Sequence, residues 1–117
     1  MNLIIVESPT KARTLTRFLG SGFAVQATGG HIKDLPKSKL SIDIDDDFKP
    51  EYVVIPRKED TVSKIKEGAK KASIIYLATD PDREGEAIAK HVEEILREMR
   101  NGMQKTKLLR IAFHEIT

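Results

Sequence analysis

Alternating strand and helix signals predict an α/β fold for this sequence, with a mainly parallel central sheet sandwiched by helices. Two short apolar runs, Leu3 to Val6 and Ile74 to Ala78, read as strands buried on both faces, as parallel strands usually are. Each run is followed within a few residues by a helix-start signal and then by apolar residues at helical spacing. Each is also followed within two residues by an acid, Glu7 and Asp80, and in open α/β sheets ligands gather beyond the carboxyl ends of strands.

The first strand spans Leu3 to Glu7. Ser8 then offers an N-cap and Pro9 the first helical position, where a missing N–H costs nothing. Ala12, Leu15, Phe18 and Leu19 recur at helical spacing, and Gly20 provides the expected left-handed stop. Phe23 to Thr28 reads as a second strand, after which Gly29-Gly30-His31 opens a loop running to Pro36. Leu40, Ile42 and Ile44 alternate with Ser41, Asp43 and Asp45, a pattern for a half-exposed edge strand. Glu51 to Ile55 is a further strand, ended by Pro56. Val62, Ile65, Ala69 and Ala72 then share one helical face, with Glu59 and Asp60 near its start. Ile74 to Ala78 is the next strand. Ile88, Val92, Ile95, Leu96 and Met99 form the stripe of a longer helix that stops at Asn101-Gly102, and Lys107 to Phe113 is the last strand. With no internal repeat, low-complexity stretch or linker, residues 1–117 are expected to form a single domain.

Composition narrows the chemistry. A hydrophobic fraction of 39% with 32% charged residues is that of a globular domain rather than a disordered or membrane one. The opening apolar run is too short for a signal peptide and meets Glu7 at once, so a cytoplasmic location is the default. Absence of cysteine excludes disulfides, thiolate zinc sites and cysteine nucleophiles. His31, His91 and His114 are too dispersed for a helical zinc pair. A net charge of +2 means that any contact with nucleic acid must come from a local basic surface.

Asp80-Pro81-Asp82-Arg83-Glu84-Gly85-Glu86 puts four carboxylates within seven residues at the end of a buried strand. Like charges packed there call for a compensating cation, and hard oxygen ligands suit Mg2+, which leaves its remaining positions to water and substrate phosphate. Asp82 also reads simply as the N-cap of the following helix, with Glu84 and Glu86 in its first turn, though that leaves Asp80 unexplained. If the strands ending at Glu7 and Ala78 lie side by side in parallel, Glu7 and Asp80 emerge at one edge and can share a metal. Glu7 is then a candidate proton donor to a leaving alkoxide; its alternative role is to hydrogen-bond the next helix N-terminus. Lys11, at i+4 from Glu7, reaches the same edge and either binds phosphate or is an ordinary solvated lysine. His31 lies in the glycine-rich loop, where a turn histidine is commonplace, though the flanking glycines would let a nucleic-acid backbone approach closely. Two apparent motifs fail. Asp43, Asp45 and Asp47 open like an EF-hand loop, but Phe48 replaces the turn glycine and Val54 the bidentate glutamate. Gly20-Ser21-Gly22 follows a helix instead of a strand, which excludes a dinucleotide fingerprint.

Four segments together resemble one family: V-E-S-P-T-K-A (Val6 to Ala12), G-H-I-K-D-L-P (Gly30 to Pro36), Y-L-A-T-D-P-D-R-E-G-E-A-I-A (Tyr76 to Ala89) and F-H-E-I-T (Phe113 to Thr117). In this order they are similar to the Toprim domain of type IA DNA topoisomerases of the bacterial topoisomerase I style, which implies a Toprim-type, Rossmann-like fold. The resemblance implies a Mg2+ cofactor held by Glu7, Asp80, Asp82 and Glu84, with Glu7 also serving as acid and base. It implies a catalytic role for Lys11 at the scissile phosphate, and DNA contacts at Lys11, His31 and Arg83. The family's nucleophilic tyrosine lies in a separate downstream domain, and neither Tyr52 nor Tyr76 fits that role. The chain is therefore expected to be the N-terminal fragment of a larger isomerase, inactive by itself. Its expected partners are a single-stranded segment within duplex DNA and the remaining domains, in the nucleoid and away from any membrane. A stand-alone Toprim nuclease or a nucleic-acid-binding module is the alternative.

Overall fold

Leu3, Ile4, Ile5 and Val6 are all buried, as only a strand covered on both faces allows. In the computed structural model, which describes residues 1–34, 52–99 and 106–112, they belong to β1 (Asn2–Val6), near the centre of a four-stranded sheet. β1 is followed by α1 (Pro9–Phe18) and β2 (Phe23–Ala27), then by a two-residue strand, β3 (Lys33–Asp34). Next come β4 (Val53–Val54), a 3-10 turn (Pro56–Lys58), α2 (Glu59–Lys71), β5 (Ile74–Leu77), α3 (Arg83–Arg97) and β6 (Lys107–Arg110). The sheet order is β2-β1-β5-β6 and every pairing is parallel; β3 and β4 form a separate antiparallel pair.

Alternation along β1 divides the core. Leu3 and Ile5 point to one face, where they meet Ile75 and Leu77 of β5, Val62, Ile65 and Ala69 of α2, and the Ile88, Val92, Ile95 and Leu96 stripe of α3. Ile4 and Val6 point to the other, where Leu15 of α1 and Ala78 cover them. Fully burying one such aliphatic side chain is worth about 1.5–3 kcal/mol, so this double-sided packing fixes β1 and β5 firmly beside each other.

Most of the expected elements form near their predicted limits, and the differences have identifiable causes. Ser8 caps α1, its hydroxyl accepting from the Lys11 N–H at 3.1 Å, with Pro9 in the first turn. The helix does not end in a left-handed glycine: Leu19 turns extended (φ −92°, ψ 145°), and among the described glycines positive φ is found at Gly29 and Gly30 but not at Gly20. Of the described residues in the segment Glu51 to Ile55, Val53–Val54 form a strand, paired with the two-residue β3 that lies within what the glycine pattern marked as loop. Helix α3 ends at Arg97, earlier than the Asn101-Gly102 signal, and Met99 packs on the core from beyond the helix. The Leu40 to Asp45 alternation, the Asp43–Asp47 acidic turn, the Asn101-Gly102 stop and the Phe113 to Thr117 segment with His114 lie outside the described residues.

Candidate functional site at the carboxyl edge of the sheet

The parallel register sets what meets at the edge. Ile5 lies opposite Leu77, and Leu77 opposite Arg110, so β1, β5 and β6 release their following residues at one end of the sheet. Glu7 and the Thr79-Asp80 turn therefore converge across 73 residues of sequence. The Asp80 backbone N–H donates to Glu7 Oε2 at 2.7 Å. Lys11, one helical turn beyond Glu7, donates from Nζ to Glu7 Oε1 at 2.9 Å and to Asp80 Oδ1 at 2.5 Å, bridging the two carboxylates. Burial lowers the Lys11 pKa, but hydrogen bonds to Asp80 and Glu7 and their negative charges outweigh it, so the ammonium is held above its ordinary value. The ionic neighbour of Glu7 is thus a lysine and not a second carboxylate.

Glu7 organises the edge through its backbone as well. Its carbonyl accepts from the Gly30 N–H at 3.0 Å, which draws the glycine turn up to the site. Gly29 and Gly30 take φ of 69° and 97°, values open to glycine at little cost, and Lys58 Nζ locks the turn by donating to the carbonyls of Thr28 and Gly29 at 3.1 and 2.8 Å. His31 follows, with Nε2 4.0 Å from Glu84 Oε2.

The acidic turn is held from two sides. Asp82 is the N-cap of α3, Oδ1 accepting from the Gly85 N–H at 2.7 Å, so the capping role foreseen for it is real. The buried Thr79 hydroxyl donates to the Gly85 carbonyl at 2.6 Å. A Cβ on Gly85 would lie 1.9 Å from the Asp80 carbonyl oxygen; glycine is what lets the turn close. Arg110, at the end of β6, donates to the carbonyls of Leu77 at 2.9 Å, Asp80 at 3.0 Å and Ile111, and pairs with Glu86 at 2.7 Å. Sequence reading missed both Gly85 and Arg110. Arg110 was open to discovery, since the strand register puts it at the same edge as Asp80; the close approach at Gly85 had no signal in sequence.

The structure brings Glu7, Lys11 and Asp80 into direct contact, and sets Asp82, Arg83 and Glu84 exposed beside them on the first turn of α3. Among the described residues, no three carboxylates or histidines form a ready-made cage: Lys11 stands between Glu7 and Asp80, Asp82 is turned to its cap, and Glu84 faces His31. Tyr76 is half-buried in β5, packed against the second core cluster, whereas Tyr52 is exposed beside His91.

Fold and site together define an α/β domain whose carboxylates and lysine gather beyond the carboxyl ends of adjacent parallel strands. The sequence matches the Toprim domain family over residues 2–116, and the chain belongs to that family. It is similar to the full-length topoisomerase I from Thermotoga maritima solved in a monoclinic crystal form, with 46% identity and a TM-score of 0.74. The match covers 98% of this chain and 19% of that one, so the chain spans about a fifth of that topoisomerase's length. Among the described residues, no helix is long and apolar enough to cross a membrane.

Proposed function

We propose that the chain is the metal-binding catalytic domain, N-terminal in its parent, of a type IA DNA topoisomerase. In this reading it contributes to cleavage and religation of one DNA strand by a tyrosine carried elsewhere in the parent. The observation that carries the reading is the junction of Glu7, Lys11 and Asp80 at the ends of β1 and β5, in a chain 46% identical to part of a topoisomerase I. The donor set fits a hard divalent cation: Asp80, Asp82, Glu84 and Glu7 offer only oxygen, and Asp82 and Glu84 are exposed. Mg2+ held by these carboxylates would offset the charge of DNA phosphates brought against them.

The protein's own groups account for the rest. As the tyrosine oxygen, its phenolic proton released to solvent, bonds to phosphorus and the P–O3′ bond breaks, Glu7 in its protonated form gives its proton to the departing 3′ oxygen; on religation it takes that proton back and the tyrosine regains one from solvent. Lys11 exchanges one carboxylate for a phosphate oxygen and stays charged, since even the ordinary lysine value lies well above neutral pH. Glu7, anchored by the Asp80 N–H, keeps its orientation through that exchange. His31 and Arg83 border the path of the strand.

The test is strand relaxation by the full-length parent carrying Glu7→Gln. Loss of turnover with the fold intact is expected, and relaxation at the wild-type rate would remove Glu7 from the chemistry. Mg2+-dependent nicking by the isolated chain, abolished by Asp80→Ala, would instead identify a self-sufficient nuclease.

A further inference from the structure

Between the Gly29–Gly30 turn, Tyr52 and the outer face of α3 lies a cleft of about 640 Å3, within the range of sites for small ligands. It adjoins the acidic edge through His31 but contains none of Glu7, Asp80, Asp82 or Glu84. Three permanent cations line it, Lys33, Arg57 and Lys90, against one carboxylate, Asp34. Lys33 also reaches Glu94 at 3.4 Å, while Arg57 and Lys90 are exposed. The wall is aromatic: the Tyr52 ring lies 5.1 Å from that of His91, tilted by 38°, with Tyr52 49% exposed and His91 8%. His91 Nδ1 is buried and has no hydrogen-bond partner among the described residues, although buried polar atoms are almost always paired. Burial lowers the His91 pKa, Glu94 opposing it and Lys33, His31 and Lys90 adding to it, so the ring is neutral at pH 7 and carries one donor and one acceptor.

From the cleft, its aromatic wall and the unpartnered His91 nitrogen, we infer that this is a nucleotide subsite. It takes one nucleotide of a single DNA strand, with the base against Tyr52 and His91 and the phosphate toward Lys90 and Arg57. A single strand fits the mix of features: bases offer a flat face to stack on an aromatic ring and an edge for hydrogen bonding, while the backbone supplies the anion. A free anion would leave Tyr52 without a role, and an apolar ligand would leave the cations without one. The inference rests on the proposed function, since it supposes that a DNA strand is held at the neighbouring edge.

The experiment is an NMR titration of the protein with short oligothymidylate and with an abasic strand of equal length, together with the affinity of each for Tyr52→Leu. Oligothymidylate is expected to shift the ring signals of His91 and Tyr52. Tyr52→Leu is expected to weaken it about ten-fold, in line with stacking energies of roughly 1–3 kcal/mol per base, while weakening the abasic strand less than about two-fold. Since Tyr52 is half exposed the variant should fold, and the wild-type ring shifts test the site without it. If oligothymidylate binds and moves the amides of Glu7 and residues 79–86 while both rings stay still and Tyr52→Leu binds normally, the subsite is refuted and the proposed function stands. Failure of the folded protein to bind either strand would overturn both.

Discussion

The Glu7 carboxylate accepts the backbone N–H of Asp80 at 2.7 Å, tying the end of one buried strand to the turn that follows its neighbour. A glutamine there retains an acceptor for that N–H and loses the ion pair with Lys11. Glu7→Gln is therefore expected to cost about 1 kcal/mol, whereas Glu7→Ala, which leaves the N–H unpaired, should cost about 1–3 kcal/mol. Thermal denaturation of the two variants measures the difference; equal losses would mean that the hydrogen bond contributes little.

Lys11 compensates two carboxylates at once. Lys11→Met should leave Glu7 and Asp80 repelling each other, lower the melting temperature in EDTA, and make stabilisation by added Mg2+ larger than in the wild type. A variant whose Mg2+ response matches the wild type would show that the cation and the lysine do not act on the same charges. Because the Lys11 pKa is raised, its contribution is complete below pH 10.5 and is lost only as pH climbs through the higher folded value.

Gly85→Ala tests the closure of the acidic turn. With Asp80 backbone atoms 1.9 to 3.0 Å from the new Cβ, the turn or the start of α3 must move, at a cost of about 3 kcal/mol. Melting at the wild-type temperature would show that the turn relaxes freely.

A Mg2+ titration followed by amide signals should move Glu7 and residues 79–86, and Asp80→Ala or Asp82→Ala should reduce the response. Movement confined to Asp43–Asp47 would relocate the metal. Binding should be weak, since substrate phosphate normally completes the shell around Mg2+.

His91 should titrate with a midpoint below 6.5, the direction set by burial, opposed by Glu94 and assisted by Lys33, His31 and Lys90. With the folded value depressed, its contribution to stability is present above pH 6.5 and is lost as pH falls toward the folded midpoint. Ring signals recorded against pH measure this directly, and a midpoint above 6.5 would contradict it.

Sequence carried the fold well where one physical signal dominated. The unbroken apolar runs at Leu3 to Val6 and Ile74 to Ala78 could only be buried strands, and Ser8-Pro9 set the start of α1 to the residue. It failed where tertiary contacts decide: α3 stops at Arg97 and Leu19 ends α1 without a left-handed glycine. At the site, the shared edge of Glu7, Lys11 and Asp80 followed from strand order and helical spacing. The lysine's position between the two acids did not, because it depends on side-chain geometry across 69 residues. Gly85 was invisible for the same reason, its role lying in a backbone approach that no residue pattern encodes, whereas Arg110 was within reach of the strand register and was passed over.

The sheet order has a consequence for the order in which the domain is made. β1 pairs with β5 across most of the chain, and β6 completes the edge only at Arg110. At roughly 5–20 residues per second, ribosomal synthesis leaves β1 waiting several seconds for that neighbour, its buried face exposed to chaperones or to other chains. Non-local pairing of this kind also slows folding of the finished domain. Until Asp80 and Arg110 have emerged, the Glu7 carboxylate lacks the backbone N–H it accepts and the acidic turn lacks the guanidinium that holds it, so this edge of the sheet is assembled only when synthesis reaches β6.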